Sequence, residues 1–346
     1  MSGSSSGASA ASVPDDLPVV VVETERLRLV FAPSRGGRLL GLAVDGHELL
    51  WKNPRLVDED FLPVRPVADW PAGDGGMSTW ANLGGSKTWP APQGWSGPGE
   101  WAGPPDGVLD AGEWAVTVER AFDTVSGAAV SSDTVVTLTS APDPRSGLRV
   151  SRTFTVPHAG LAFAQRVEFT NTSAEPVRWS IWEVCQVDTS GAAGLRVDDA
   201  AVVVPVAAAS PGESTRAGRR AELDLGTYWG GLESTSSDGE VRLPLGTAVA
   251  KRGFPAATGA VSYRTRRDPG LTLSSVVQEN AEYPDGGSRV EVWLQTPTPE
   301  PIAALEGLHP DADLVELEVL GPLVTLLPGE STSLSIAWAV QEPGDA

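Results

Sequence analysis

Residues 148–156 read Leu-Arg-Val-Ser-Arg-Thr-Phe-Thr-Val, with large apolar side chains at alternate positions. Successive side chains of a β-strand point to opposite faces, so these apolar residues share one face. Pro157-His-Ala-Gly160 then supplies a turn, and residues 161–169 repeat the alternation with Leu, Phe, Val and Phe. The pattern predicts two antiparallel strands with one buried face.

The same two-residue period recurs along most of the chain, and no segment shows the pattern of a long amphipathic helix. Short strands joined by Gly, Pro and Asp turns are typical of an antiparallel all-β sandwich. We expect one large all-β domain over residues 18–342, with few or no helices, after a disordered Ser/Gly/Ala-rich tail over residues 1–17. The further strands are expected at 19–22, 27–31, 38–44, 114–122, 134–138, 179–187, 271–278, 289–294, 314–320 and 333–339.

The overall charge argues against two classes of partner. Lys and Arg total 25 against 45 Asp and Glu, for a net charge of −20. Phosphate groups would be repelled, so we expect neither nucleic acid nor an anionic membrane as a partner. The N-terminus has no basic start followed by an apolar core, so it does not resemble a secretory signal, and we expect a cytoplasmic protein. The sequence leaves the oligomeric state open.

Few residues suit metal or cofactor chemistry. The single cysteine, Cys185, lies in an apolar run and is expected to be buried. His47, His158 and His309 each lie in a predicted turn. There is no paired Cys/His spacing, no Asp-rich calcium loop and no phosphate loop, so no metal and no cofactor are predicted.

A tryptophan-rich segment is the first candidate for a binding site. Six of the twelve tryptophans lie between Pro66 and Trp114, around Asn82-Leu-Gly-Gly-Ser-Lys-Thr-Trp-Pro-Ala-Pro-Gln-Gly-Trp95. Glycine and proline interrupt both regular periods, so we expect an irregular loop. Tryptophan combines an apolar body with one N–H donor, which suits either packing or a binding surface. Lys87, inside this loop, is either a surface residue or a donor aimed into an aromatic pocket.

Carboxylates supply the second candidate. Glu316 and Glu318 lie two apart in Leu314-Val-Glu-Leu-Glu-Val-Leu320, and therefore share one strand face. That face is either solvent-exposed or part of a polar groove. In a groove, two neighbouring carboxylates would raise the pKa of one of them and create an acid or base. Glu291 and Trp293 share a face of another strand, and so do Trp182 and Gln186, with Glu183 pointing the other way.

Three of these strands resemble a known family. Residues 148–156, 164–172 and 315–323, the last together with Leu327-Pro-Gly-Glu330, are similar to strands of aldose 1-epimerase-like (galactose mutarotase-like) proteins. The similarity is greater to an uncharacterised bacterial branch with a Gly-Gly-x-Lys-Thr-Trp-Pro-Ala-Pro-Gln motif, here residues 84–93. Trp182 with Gln186, and Tyr283-Pro-Asp-Gly-Gly-Ser-Arg-Val-Glu-Val292, also resemble that branch.

The resemblance implies a β-supersandwich with a sugar-sized groove on one sheet. In mutarotases, a histidine protonates the ring oxygen and a glutamate on a late strand takes the proton from the anomeric hydroxyl. Glu316 or Glu318 matches the glutamate. The histidines have no counterpart here, because their places fall near Trp182-Glu183 and near Lys87. Lys87 or Glu183 could replace the acid.

We therefore expect a sugar-like small molecule as the partner and acid/base isomerisation as the chemistry. Two alternatives stay open, namely a non-catalytic carbohydrate-binding protein and a lyase or cyclase acting on an apolar substrate in an aromatic pocket. Glycoside hydrolysis would require Glu291 or Glu183 as a second carboxylate. The candidate catalytic residues are Glu318, Glu316 and Lys87, and the candidate binding residues are Trp89, Gln93, Trp95, Trp182, Gln186, Glu291 and Arg38.

Overall fold

The structure is a computed structural model that describes residues 16–71, 73, 76–94, 96–97, 99–125, 128–207, 221–237 and 239–344. Side chains at 121–132 are left undescribed. The predicted tail lies outside the described residues except for Asp16 and Leu17, and Leu17 is buried. The described residues form 21 strands and three short 3₁₀ helices, the latter at Val67–Asp69, Met77–Thr79 and Ala303–Leu305.

The strands, numbered in chain order, have the following bounds. They are β1 Val20–Glu23, β2 Leu27–Ala32, β3 Arg38–Val44, β4 His47–Glu48, β5 Ser86–Ala91, β6 Ala115–Val125, β7 Ala128–Thr139, β8 Leu148–Val156, β9 Ala162–Asn171, β10 Val177–Asp188, β11 Ala200–Pro205, β12 Leu223–Gly230, β13 Thr235–Ser237, β14 Glu240–Leu243, β15 Ala248–Phe254, β16 Ala260–Thr265, β17 Gly270–Ser275, β18 Val290–Gln295, β19 Leu314–Leu320, β20 Val324–Leu326 and β21 Ser331–Gln341.

Two antiparallel sheets pack face to face. The first has the order β1-β2-β3-β5-β10-β19-β18-β15-β12, with β4 paired to β3 and β20 paired to β10. The second has the order β13-β14-β11-β16-β17-β21-β9-β8-β7-β6. One large apolar core, with members from both sheets, lies between them. The predicted all-β sandwich is therefore confirmed.

The two antiparallel strands predicted at residues 148–156 and 161–169 are present as β8 and β9. Val150 pairs with Phe169, and the buried positions of β8 follow the predicted alternation. The inward face of β8 contributes Leu148, Val150, Phe154 and Val156 to the core between the sheets.

The central part of the tryptophan-rich segment differs from the prediction. Ser86–Ala91 is a strand, β5, and not part of an irregular loop. Proline normally interrupts a strand because it cannot donate to a neighbour. Here Pro90 is accommodated because β3 pairs with β5 only at Ser86, while β10 pairs along all of β5. Lys87 therefore has a fixed direction relative to the sheet.

The sequence pattern did not predict the strands between residues 200 and 265. Ala200–Pro205 reads Ala-Ala-Val-Val-Val-Pro and is buried at nearly every position, so it has no alternating pattern to detect. Leu223–Gly230 is an edge strand that is interrupted by register shifts and has no buried position. The two-residue period detects strands with one buried face and one exposed face, and neither of these strands has that pattern.

Candidate active site

The candidate site lies on the outer face of the first sheet, across β5, β10, β19, β18 and β15. The strand register sets which residues share that face. Val184 of β10 pairs with Lys87 on one side and with Glu318 on the other. Glu318 in turn pairs with Glu291 of β18. Since directly paired residues point to the same face of a sheet, these charged side chains all point away from the core.

A cavity of about 280 Å³ lies over this face. Its volume is close to the lower limit for small-molecule pockets. The strands supply its floor, and residues outside the strands, among them Met77, Trp80, Gln93, Pro104 and Leu305, supply much of its rim. The lining residues are Met77, Trp80, Asn82, Trp89, Gln93, Pro104, Trp182, Gln186, Leu225, Tyr228, Lys251, Asp285, Glu291, Trp293, Gln295, Ala304, Leu305, Leu308 and Glu316.

Two groups of aromatic side chains wall the cavity. On one side, the Trp89 ring lies 6.0 Å from that of Trp80 and 5.6 Å from that of Trp182. On the other side, the rings of Tyr228 and Trp293 are 5.9 Å apart. Aromatic faces carry negative potential, so these walls favour both apolar C–H groups and cations.

The first charged cluster joins Lys87 and Glu316. Lys87 is fully buried, and its Nζ lies 3.4 Å from Glu316 Oε1. Gln186 Nε2 donates to the same oxygen at 2.7 Å. The ammonium group also lies 5.0 Å from the Trp89 ring centre. Burial lowers the pKa of Lys87 to about 8, because the charged form loses hydration, although the nearby Glu316 carboxylate opposes that shift.

The second charged cluster is centred on Lys251. Its Nζ lies 2.5 Å from Glu318 Oε2 and 3.0 Å from Glu291 Oε2, and 4.6 Å from the Trp182 ring centre. Trp182 Nε1 donates to Glu318 Oε2 at 2.5 Å. Burial lowers the pKa of Lys251, but the surrounding carboxylates outweigh burial and raise it above its ordinary value. Lys251 is therefore the permanent cation of this cluster.

The carboxyl groups around Lys251 hold protons unusually well. Burial raises the pKa of Glu318 to about 7, and Lys251 offsets only part of that effect. Burial raises the pKa of Glu291 well above its ordinary value, with Asp285 and Glu318 adding to the shift. Burial also raises the pKa of Asp285, which reaches the cavity from the turn before β18. Asp285 has a positive φ of 50°, a conformation that aspartate tolerates better than most residues.

Several buried polar atoms at this site have no hydrogen-bond partner within the protein. They include Gln186 Oε1, Glu291 Oε1, Glu318 Oε1 and Trp89 Nε1. Buried polar groups are nearly always paired, because an unpaired one costs roughly 1–3 kcal/mol. Gln186, Glu291 and Trp89 also line the cavity. The floor therefore offers acceptors and one donor to a bound polar molecule.

The structure brings most of the predicted site residues together, at two different depths. Glu318 and Lys87 lie beneath the floor, fully buried and outside the cavity lining. Trp95 lies outside the described residues. The predicted residues that line the cavity are Trp89, Gln93, Trp182, Gln186, Glu291 and Glu316.

Among the predicted binding residues that the structure describes, Arg38 is the one that does not line the cavity. It is buried in an ion pair with Asp110 and donates to the Gly84 carbonyl at 2.9 Å. Asp110 also accepts from Trp80 Nε1 at 2.8 Å. Arg38 thus supports Trp80 from behind, and its guanidinium has protein partners already.

Glu183, a possible acid, faces the core between the two sheets. Arg152 of β8 donates to it at 2.6 Å and Gln165 of β9 at 2.9 Å. Ser86 and Thr88 of β5 also donate to its carboxylate. Glu183 therefore joins the two sheets on the side opposite the groove, as its predicted direction implies.

Two charged residues of the groove were missed. Lys251 follows small apolar residues in Ala248-Val-Ala-Lys-Arg252, but that strand was not recognised. Asp285 lies in the Tyr-Pro-Asp-Gly-Gly-Ser-Arg motif, which gave no indication of where its side chain points. Within the described ranges, no three His, Cys, Asp or Glu side chains are arranged to hold a metal ion. In the same part of the chain, no helix is long and apolar enough to span a bilayer.

Comparisons with known proteins identify the fold of this chain but not its family or its activity. No protein-family model and no curated protein matches the chain. The Slr1438 protein from Synechocystis sp. has a similar structure, with a TM-score of 0.53, 14% identity, and 97% of this chain and 100% of that chain covered. A candidate aldose 1-epimerase from Klebsiella pneumoniae gives a TM-score of 0.53 and 12% identity over 92% of this chain and 77% of that chain.

Two further structures agree with this result. A candidate mutarotase from Salmonella typhimurium gives a TM-score of 0.51 and 11% identity, over 95% of this chain and 92% of that chain. A TPR-domain-containing protein from Parabacteroides distasonis gives a TM-score of 0.52 and 15% identity over 93% of this chain. This chain spans only about half of that protein, 47%. At these identities the likeness concerns architecture alone, and the chain shares the fold of these four structures, which include a candidate aldose 1-epimerase and a candidate mutarotase.

Proposed function

We propose that this chain binds a sugar-sized, polyhydroxylated molecule in the groove and isomerises it by proton transfer, as in the interconversion of the anomers of an aldose. The observation that carries the proposal is the meeting of Glu291 and Glu316 at the floor of one aromatic-walled cavity. Two carboxyl groups on neighbouring strands, with unpaired buried atoms beside them, are a suitable arrangement for acid/base chemistry on a small molecule.

Binding would use the two kinds of surface in the cavity. The rings of Trp89, Trp182 and Trp293 would pack against the apolar C–H faces of a sugar ring. Gln186 Oε1 and Glu291 Oε1 would accept hydrogen bonds from its hydroxyl groups, and Trp89 Nε1 would donate one. Each contact would satisfy a buried atom that lacks a partner in the protein.

The chemistry requires one group to accept a proton and another to give one. In our proposal, Glu316 takes the proton from the hydroxyl on C1, while protonated Glu291 gives its proton to the ring oxygen. The bond between C1 and the ring oxygen breaks, which yields the open-chain aldehyde. Rotation about the C1–C2 bond and reversal of both proton transfers then close the ring to the other anomer.

The raised pKa of Glu291 supports its role as the acid, because burial favours the protonated form of the carboxyl group. It would thereby replace the histidine that the resemblance implies. Glu318 and Lys87, which were candidates for catalysis from the sequence, take positioning roles in this proposal. Lys87 holds Glu316, and Glu318 holds Lys251 against Glu291.

Saturation-transfer NMR and polarimetry on a panel of aldoses test the proposal. We expect the wild-type chain to accelerate anomer exchange, and Glu316→Gln and Glu291→Gln each to slow it by about 10²–10⁴-fold. Glu23→Gln on the exposed part of β1 is the matched control and should keep full activity. An exchange rate equal to background for every aldose would contradict catalysis. Binding without exchange would instead favour a carbohydrate-binding protein.

A further inference from the structure

Acidic side chains outnumber basic side chains in the lining of the cavity. Asp285, Glu291 and Glu316 contribute three carboxyl groups, whereas Lys251 is the single lysine or arginine of the lining within the described residues. That lysine is already engaged by two carboxylates. A phosphate or carboxylate group on a ligand would therefore meet mainly like charge and find no free cation.

Acidic side chains outnumber basic ones around Glu291. Lys251 from β15 faces it, as do Asp285 from the preceding turn and Glu318 from β19. Glu316 on β19 adds a further charge near Glu318, and Glu100 adds one near Asp285. Glu291 is only 2% exposed and lines the cavity, and its Oε1 has no hydrogen-bond partner in the protein. Lys87 compensates Glu316, so Lys251 alone faces Glu291, Glu318 and Asp285, and the cluster is short of positive charge.

The aromatic walls are suited to supplying the remaining contacts of a cation. Lys251 Nζ already lies 4.6 Å from the Trp182 ring centre, and Lys87 Nζ lies 5.0 Å from that of Trp89. Carboxylates together with aromatic faces are the usual surroundings of a bound ammonium group. Tyr228 and Trp293 offer the same kind of face on the opposite wall.

We infer that the groove prefers an amino sugar, whose protonated amine lies between Asp285, Glu291 and the aromatic wall. The inference rests on the proposed function and narrows its substrate class. A bound ammonium group would replace the proton that compensates the buried carboxyl groups. Binding of the amine should therefore release a proton from Glu318, whose pKa is raised to about 7, while Glu291 keeps the proton that it gives to the ring oxygen; binding of a neutral sugar should release none.

Isothermal titration calorimetry on the full chain at pH 7 tests the inference. The ligands are glucosamine, galactosamine and mannosamine, each compared with its N-acetyl form, its neutral parent sugar and the matching uronic acid. We expect at least one amine to bind about tenfold or more tightly than its three relatives, since a charge-assisted hydrogen bond contributes at least this much. Titrations in phosphate and in MOPS, which differ in ionisation enthalpy, should show proton release only for the amine.

Asp285→Asn removes one carboxylate and keeps a residue that tolerates positive φ, so the fold should be preserved. It should reduce the preference for the amine about tenfold and leave binding of the parent sugar unchanged. Glu318→Gln removes the carboxyl group whose pKa is raised to about 7, so it should abolish proton release. Asp268→Asn, an exposed change in the turn between β16 and β17, is the matched control and should alter neither.

The other outcomes are separable. A neutral sugar or uronic acid that binds as tightly as its amine would overturn this inference and leave the proposed function standing. No binding by any sugar in the panel would contradict both. Calcium chloride titrated alone is the metal arm, and binding with the same proton release would assign the carboxylates to a metal ion and overturn the amino-sugar inference.

Discussion

Lys87 Nζ lies 3.4 Å from Glu316 Oε1, and 229 residues separate the two in the chain. β10 lies between their strands in the sheet, so both side chains reach across one intervening strand. The pair is nearly inaccessible to water, with side-chain exposures of 0% and 12%. Charged groups so placed link the stability of the fold to the protonation of the groove.

Lys87 should make stability increase with pH in the alkaline range. Its pKa is about 8 in the folded protein and 10.5 when exposed, so between these values the unfolded chain binds the extra proton. The free energy of unfolding should therefore rise from pH 8 towards pH 10.5, by roughly 3 kcal/mol in total. Urea unfolding at intervals from pH 7.5 to 10 measures this slope.

The Lys87→Met variant is the comparison for that measurement. It lacks the titrating group, so the difference in unfolding free energy between wild type and variant should widen across this range in favour of the wild type. A constant difference would show that Lys87 has an ordinary pKa. Lys251 does not titrate in this window, because its pKa is raised in the folded state.

Glu318 should have the opposite effect in the acidic range. Its pKa is about 7 in the folded protein and 4.5 when exposed, so between these values the folded protein binds the extra proton. The contribution of Glu318 to stability is then largest below pH 4.5 and is lost as the pH rises through 7. Glu318→Gln cannot titrate, so it should gain stability relative to wild type as the pH rises from 4.5 to 7. Thermal or urea unfolding of both proteins at these pH values provides the check, and parallel curves would rule the shift out.

The Arg152–Glu183 pair between the sheets should contribute strongly to stability when either partner alone is removed. Arg152→Met or Glu183→Gln leaves a buried charge without its partner, which typically costs about 3–5 kcal/mol. The exposed Arg166–Glu168 pair is the matched control, and Glu168→Gln should cost less than about 1 kcal/mol. Denaturant unfolding of the single and double variants gives the coupling energy. Equal, small losses at both pairs would contradict this role.

Gly85 should be essential for the position of β5. It has a φ of 71°, and a Cβ there would lie 2.5 Å from the Leu39 carbonyl oxygen. Gly85→Ala should therefore combine backbone strain with a steric clash and destabilise the fold by more than about 2 kcal/mol. Gly46→Ala is the control for strain alone, because Gly46 has a φ of 85° with no atom near a Cβ, and it should cost only about 1 kcal/mol. Comparable losses in urea unfolding would show that the clash is relieved by a small shift.

Local alternation in the sequence determined the fold class and the direction of many side chains. The pattern at 148–156 predicted the buried face of β8, and the spacing of Glu316 and Glu318 placed both on one face of β19. Alternation also put Glu183 on the face opposite Trp182 and Gln186. These inferences succeed because the two-residue period of a strand is a property of neighbouring residues and does not depend on which strands pair.

Only the tertiary structure decided which charges meet and how deep they lie. Lys251 and Asp285 belong to the groove because β15 pairs with β18, and β18 with β19, in a sheet whose order departs from chain order. Arg38 was expected in the groove but instead pairs with Asp110, and β5 was expected to be a loop. Strand order and register depend on packing between residues distant in the chain, which a local pattern does not contain. The sequence therefore determined the faces of the strands, while the pairing of β5, β10, β19, β18 and β15 determined the site.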